Sequence, residues 1–265
     1  MYRIKSIPLK QRVKTRLELA VTLAISSLKV RYKNSVLGFV WSLLTPLIYL
    51  GIFVTIFSHR LGVERYPLYA LTGLIFWNFF MTTVNQVLTS VVSSAGVLKS
   101  INVPPLIFPI AAISSSLINL GLSLIPFFIL MFFFEFQPSL QSLQFVYILF
   151  CFSFFTLGFG LILCAYNVYF RDVGMLWGTI TPALFYFTPI IWQFNETMIS
   201  RDSTMWIAIQ INPIYQYMTA FRTAFYDNEW MTFEQFGIIT ALAVVTFFIG
   251  YRLFINLQKG FYSHY

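Results

Sequence analysis

The chain has 265 residues; 58% are hydrophobic, 20% aromatic and only 10% charged, with a formal net charge of +8 and a mean hydropathy of +0.76. A soluble domain carries roughly 25% charged residues, so the composition excludes a water-soluble globular fold. It points to one domain solvated by a bilayer, with no length left for a second, soluble one.

The first 35 residues are basic and amphipathic. No short apolar segment with a small-residue cleavage site follows "MYRIKSIPLKQRVKTR", so no removable signal peptide is expected. Val13, Leu17, Ala20, Val21, Ala24 and Leu28 recur every three or four residues, with Thr15, Glu18, Thr22, Ser26, Lys29 and Lys33 opposite. This pattern predicts a helix lying in the cytoplasmic interface. It serves either as an anchor or as a lever or docking surface for a cytoplasmic partner. In "RYKNSVLGFVWSLLTPL", residues 31–47, Arg31 and Lys33 mark where the chain turns into the membrane.

A transmembrane helix needs about 20 apolar residues to cross roughly 30 Å of hydrocarbon. Six stretches qualify, at about 36–57, 67–94, 104–134, 145–169, 175–192 and 236–257. Asn78, Asn85 and Gln86 make the second more polar, and Pro109 and Pro126 predict a bend in the third. Residues 193–235 stand outside this set. They are half apolar, broken at Asn212–Pro213, and include the amphipathic run Tyr215, Met218, Phe221, Phe225. Re-entrant or interfacial half-helices are expected there, with an ordinary external loop as the alternative. The predicted fold is therefore an all-α membrane protein, with an interface helix (1–35) and a six-helix domain (36–265).

Basic residues set the orientation. Six spans put both termini on one side, with 13 of the 17 Lys and Arg residues; only Arg60, Arg65, Arg201 and Arg222 lie on the other. Both termini are expected in the cytoplasm. The positive charge is a topology signal, so no nucleic-acid partner is expected.

Motifs for chemistry are missing. There is no phosphate-binding Gly-x-x-x-x-Gly-Lys-Ser/Thr loop, no Gly-x-Ser-x-Gly and no His-Glu-x-x-His. His59 and His264 read as surface residues. The predicted spans hold almost no ionisable group of the kind that couples transport to protons or sodium. A membrane enzyme and an ion-coupled carrier both lose support. No catalytic residue, cofactor or metal is expected in this chain.

The spans do offer aromatic and hydroxyl side chains. Ser42, Thr45, Tyr49 and Phe53 share a face of the first span. Thr179, Pro182, Tyr186 and Gln193 roughly share a face of the fifth, with Trp177 and Trp192 at its ends. Rings stack on sugars and hydroxyls hydrogen-bond them, so Ser42, Thr45, Tyr49, Phe53, Thr179, Tyr186 and Trp192 are candidate channel-lining residues. Interfacial anchoring and helix packing are the alternative. Arg171 and Asp172, adjacent at a short inner turn, either pair or cap helix ends, or hold the turn against a partner.

Four stretches carry a family resemblance: "RYKNSVLGFVWSLLTPL" (31–47), "VLKSINVPPLIFPIAA" (97–112), "YNVYFRDVGMLWGTITPALFYFTPIIW" (166–192) and "INPIYQYMTAFRTAFY" (211–226). Together, in order, they resemble the permease subunits of ABC exporters that carry O-antigen, capsule or teichoic acid. Pro105 departs from the pattern, standing where many members have a basic residue.

The resemblance implies a homodimer with a central channel and two copies of a separate ATPase that binds ATP and Mg. It implies an ATPase-docking segment at Ala95, Gly96, Val97, Leu98, Lys99 and Ser100, and gate helices within 193–235. Arg31, Lys33, Arg171 and Asp172 become candidates for the interface or the substrate headgroup. The expected cargo is a lipid-linked polysaccharide, O-antigen foremost, crossing the inner membrane. A permease for drugs or lipids and a membrane glycan transferase are the alternatives.

Overall fold

The structure is a computed structural model and describes residues 18–19, 21–26, 28–29, 35, 37–38, 40–57, 65–100, 103–134, 139–194 and 202–263. The described residues are all-helical: α1 (Val40–Phe57), α2 (Tyr66–Ser93), α3 (Ala95–Ser100), α4 (Ile107–Phe133), α5 (Gln144–Tyr169), α6 (Asp172–Phe187), α7 (Thr204–Ile211), α8 (Pro213–Phe225) and α9 (Phe233–Leu257), with 3-10 turns at Leu140–Leu143 and Gln258–Ser263.

Among the described residues, four stretches are long and apolar enough to cross a membrane: Tyr66–Ser100, Ile107–Phe133, Leu140–Tyr169 and Phe233–Phe261. Of the helices at the other two predicted spans, the described part of α1 has 18 residues, about 27 Å at 1.5 Å per residue, and α6 has 16 residues, about 24 Å, against roughly 30 Å of hydrocarbon. Local chemistry trims both. Gly38, at φ 49°, turns the chain just before α1 in a conformation open to glycine. At the far end of α6, Pro189 forces Thr188 into extended backbone (φ −98°, ψ 126°). The apolar run to Trp192 is therefore not helical throughout.

The 193–235 segment breaks where its sequence indicates. The Asn212 side chain accepts from the Ile214 N–H and caps α8, with Pro213 as the first residue of the helix, where a missing N–H costs nothing. Thr232 and Gln235 form a reciprocal capping box that starts α9.

The long α2 sits at the centre, with α1, α4, α5 and α8 packed around it, and α5 pairs with α9 along their length. The α5–α9 contact is backbone on backbone: a Cβ on Gly250 would lie 2.1 Å from the Gly158 carbonyl oxygen. Lipid tails are as apolar as the side chains, so helices associate here by close packing of small residues and shape fit rather than by escape from water. Aromatic rings fill the rest, with centroids 4.5 Å apart for Phe76–Phe221, 4.9 Å for Phe152–Tyr217 and 4.8 Å for Phe221–Phe225. Cys151 and Cys164 are free and buried.

The described part of 18–29 is helical. Ala24 and Leu28 are buried, while Leu19 and Leu23 pack on a second core cluster built around Phe108, Phe254 and Phe261. Val21, predicted on the apolar face, is exposed: the packed stripe is rotated toward Leu19 and Leu23, which meet the second core cluster.

Candidate functional site

The outward face of α2 is the chemically unusual surface. Of its 28 residues, only Asn78, Asn85, Thr89 and Ser93 are exposed, and all four are polar and uncharged. Their spacing of seven, four and four puts them on one side of the helix. Half-buried Thr82 and Gln86 flank them. The stripe is held in place: Trp177 Nε1–H donates to Asn85 Oδ1 at 3.0 Å, and the Ser115 and Ser116 hydroxyls both donate to Gln86 Oε1 at 3.0 Å. A spanning helix does not present amides to lipid, because nothing there replaces their hydrogen bonds with water.

Two grooves open over the N-terminal half of this stripe. One, of about 260 Å³, lies between α1, α2 and α4 and includes Trp41, Thr45, Asn78, Thr82 and Asn119. The other, of about 420 Å³, lies between α1, α2 and α6 and includes Thr45, Tyr49, Phe53, Asn78, Pro182 and Tyr186. They meet at Thr45 and Asn78.

Four predicted lining residues, Thr45, Tyr49, Phe53 and Tyr186, thus share one groove, with Tyr49 and Tyr186 left 52% and 72% exposed. Thr179 and Trp192 do not line it. Thr179 is exposed and donates to its own helix at the Met175 carbonyl, 3.0 Å. Trp192 lies past the end of α6 and packs on Phe194, which in turn meets Trp206 of α7 and Tyr215 of α8. The Ser42 side chain, Arg31, Lys33, His59 and His264 lie outside what the structure describes.

In α3, Leu98 is buried in the second core cluster, while Gly96, Val97, Lys99 and Ser100 are exposed. α3 is thus a short helix pinned at Leu98 with its other face open. Arg171 and Asp172 are both exposed and make no ion pair with each other; Asp172 sits in the first turn of α6, where a negative charge suits the helix dipole.

The sequence assigns Arg222 only to the side with few basic residues; the structure adds that its side chain is buried and fully engaged within the protein. Arg222 is 7% exposed. Its guanidinium donates to Tyr69 Oη at 2.8 Å, the Pro189 carbonyl at 2.9 Å and the Ile190 carbonyl at 2.7 Å, and it lies 3.6 Å over the Tyr69 ring. The Thr188–Pro189 break frees carbonyls at the end of α6, and Arg222 of α8 collects them. Gly73 makes room for this: a Cβ there would lie 2.3 Å from the Ile190 oxygen. The Asn212 amide donates to the Thr188 hydroxyl at 2.8 Å, so α8 holds the exit of α6 at both of its ends. Sequence reasoning missed this clamp because its acceptors, two backbone carbonyls and the Tyr69 hydroxyl, lie more than 30 residues away; the signal present was an Arg inside an otherwise apolar helical face.

Residues 18–226 match the ABC-2 type transporter family. The chain belongs to that family. It is also similar to the O-antigen export system permease protein RfbA of Myxococcus xanthus, 25% identical over 245 residues that cover 92% of this chain and 94% of the relative. The protein of the same name from Klebsiella pneumoniae is 28% identical over 259 residues, 97% of this chain and 98% of the relative. The ABC-2 match takes in α1 to α8, including the polar stripe, α3 and the Arg222 clamp.

Proposed function

We propose that this chain is the permease subunit of an ATP-driven exporter that moves a lipid-linked polysaccharide, of the O-antigen kind named in its relatives, outward across the inner membrane. The observation that carries the reading is the outward face of α2, an amide and hydroxyl stripe without charge. Neutral donors and acceptors suit sugar hydroxyls, which need many interchangeable hydrogen bonds and no ion pair. The aromatic groove beside it, with Tyr49 and Tyr186, adds faces on which sugar rings stack. Two copies would close these surfaces around a central channel. In that assembly α1 and α6 cross as the first and fifth of six spans, α7 and α8 form re-entrant helices at the outer mouth, and both termini are cytoplasmic.

With no phosphate-binding loop in the sequence, hydrolysis belongs to a separate ATPase that binds ATP and Mg. The exposed face of α3 is its docking platform, and residues 1–35 form the second contact. This chain itself carries no catalytic role. The same architecture would serve capsule or teichoic acid export, and the cargo assay separates these.

The test expresses the chain with its neighbouring coding regions, purifies it in mild detergent and assays ATPase activity and surface glycan. A stoichiometric ATPase partner, with export reduced by Asn78→Leu, Asn85→Leu, Tyr49→Ala or Tyr186→Ala while the complex stays intact, supports the reading. Normal export in all four variants would remove the stripe and groove from the path. No ATPase under several conditions would sink the exporter assignment.

A further inference from the structure

One charged side chain lies in a place that neither the polar stripe nor α3 uses. Among the described residues, Arg252 is the only Lys, Arg, Asp or Glu more than one turn inside the four long apolar stretches. It is exposed on the outside of α9 and makes neither hydrogen bond nor ion pair with any described residue. A cation at such a depth calls for a partner.

Its surroundings have the form of a lipid seat. A groove of about 470 Å³ runs between α5 and α9, lined by Phe248, Ile249, Leu253 and Leu257 with Tyr166, Arg252 and Asn256. The aliphatic and aromatic residues form walls of the kind an acyl chain fills. Arg252 and Asn256 are one helical turn apart on one face, and Tyr166 brings a hydroxyl from α5.

Depth agrees. The 25 residues of α9 span about 37 Å, more than the roughly 30 Å of hydrocarbon. Arg252 lies five residues before its end, about 7.5 Å in, near the boundary where phosphates begin. That end is tied to the close of α5 by Tyr169 Oη donating to the Leu257 carbonyl at 2.8 Å. The adjoining α5–α6 turn carries Arg171, on the side the basic residues mark as cytoplasmic.

We propose that Arg252, Asn256 and Tyr166 form a binding site for one anionic phospholipid of the inner leaflet. Its phosphodiester meets the guanidinium, and its chains lie along Phe248, Ile249 and Leu253. A bare snorkelling arginine would need only a polar boundary. Here a hydrogen-bonding amide and a phenol converge on the same groove, and a guanidinium fork matches phosphate oxygens in pairs. The expected lipid is phosphatidylglycerol or another with a net negative headgroup; a zwitterionic lipid offers the same phosphate with its charge already offset. The site does not depend on the cargo.

The test uses the full chain, with its ATPase partner where one co-purifies, in nanodiscs of phosphatidylethanolamine and phosphatidylglycerol. Native mass spectrometry after detergent release counts retained lipids and identifies them by mass. The wild type should retain phosphatidylglycerol over phosphatidylethanolamine. Arg252→Gln should weaken that retention about tenfold or more, the scale of losing charge-assisted hydrogen bonds, while Arg252→Lys keeps part of it. Added phosphatidylglycerol should raise the melting temperature of the wild type and not of Arg252→Gln.

Equal phosphatidylglycerol retention in wild type and Arg252→Gln would overturn the site, as would equal retention of the two lipids by the wild type. A polyprenyl pyrophosphate in place of phosphatidylglycerol would assign the groove to substrate and overturn the phospholipid proposal. Loss of the ATPase partner in Arg252→Gln, with lipid retention unchanged, would make the residue a protein contact instead.

Discussion

Replacing Arg222 with Met tests whether the clamp holds α2, α8 and the end of α6 together. The side chain is removed in shape-conserving fashion, so the cavity is small and the loss is electrostatic. Three charge-assisted hydrogen bonds, at 2.7, 2.8 and 2.9 Å, contribute about 1.5–3 kcal/mol each. Against this, Met no longer needs a guanidinium buried, a cost of several kcal/mol. The net expectation is a loss of about 3 kcal/mol.

For a chain of this size, that corresponds to a fall in melting temperature of roughly 6–12 °C. It is read as retention of the monodisperse size-exclusion peak after heating in detergent. Arg222→Lys should fall between wild type and Met, since an ammonium is a point donor without the planar fork. Gly73→Ala pushes the Ile190 turn away from the same site, so the double variant Gly73→Ala/Arg222→Met should lose less than the two single losses summed. A melting temperature within about 2 °C of wild type for Arg222→Met, or full additivity in the double variant, would refute the clamp.

Gly250→Val drives a side chain into the Gly158 carbonyl and should separate α5 from α9; loss of the folded peak in size exclusion, against a mild effect of Gly121→Ala where nothing lies within 4 Å, is the check. Asp227, in the loop between α8 and α9, has its carboxyl pushed above the ordinary 3.8, by burial first and by Glu229 second, with Arg222 opposing. The folded state therefore holds that proton more tightly, so Asp227 contributes a penalty that grows as pH rises from 3.8 through the folded value. Asp227→Asn should raise the melting temperature at neutral pH and flatten its rise on acidification; a lower melting temperature at neutral pH would contradict this. Reversing Lys99 to Glu changes the exposed face of α3 without touching buried Leu98, and should reduce ATPase co-purification while leaving the permease folded; undiminished co-purification would remove that charge from docking.

Composition and periodicity determined a helical membrane protein and the helix break at Asn212–Pro213, because each rests on the solvent the chain needs or on a few neighbouring residues. The short motifs, read in order, were sufficient to place the chain in its family. The sequence also marked Ser42, Thr45, Tyr49 and Phe53 on one helix and Thr179 and Tyr186, with Trp192, on another as lining candidates, since residues three or four apart on a helix share a face. Whether two such faces meet depends on how α1 and α6 lean on α2, and only the tertiary structure decided that they do. The same holds for the lengths of α1 and α6: an apolar run measures hydropathy, while the end of a helix is set by backbone geometry at Gly38 and Thr188–Pro189.

Tertiary structure alone determined that Asn78, Asn85, Thr89 and Ser93 are the residues α2 leaves uncovered, because burial depends on which neighbours cover the other sides. It alone showed that the Arg222 side chain is buried and acts as a clamp. The acceptors of that guanidinium are carbonyls released by a distant proline and a tyrosine 153 positions away; no local pattern encodes a partner that only the packed chain brings within hydrogen-bonding reach.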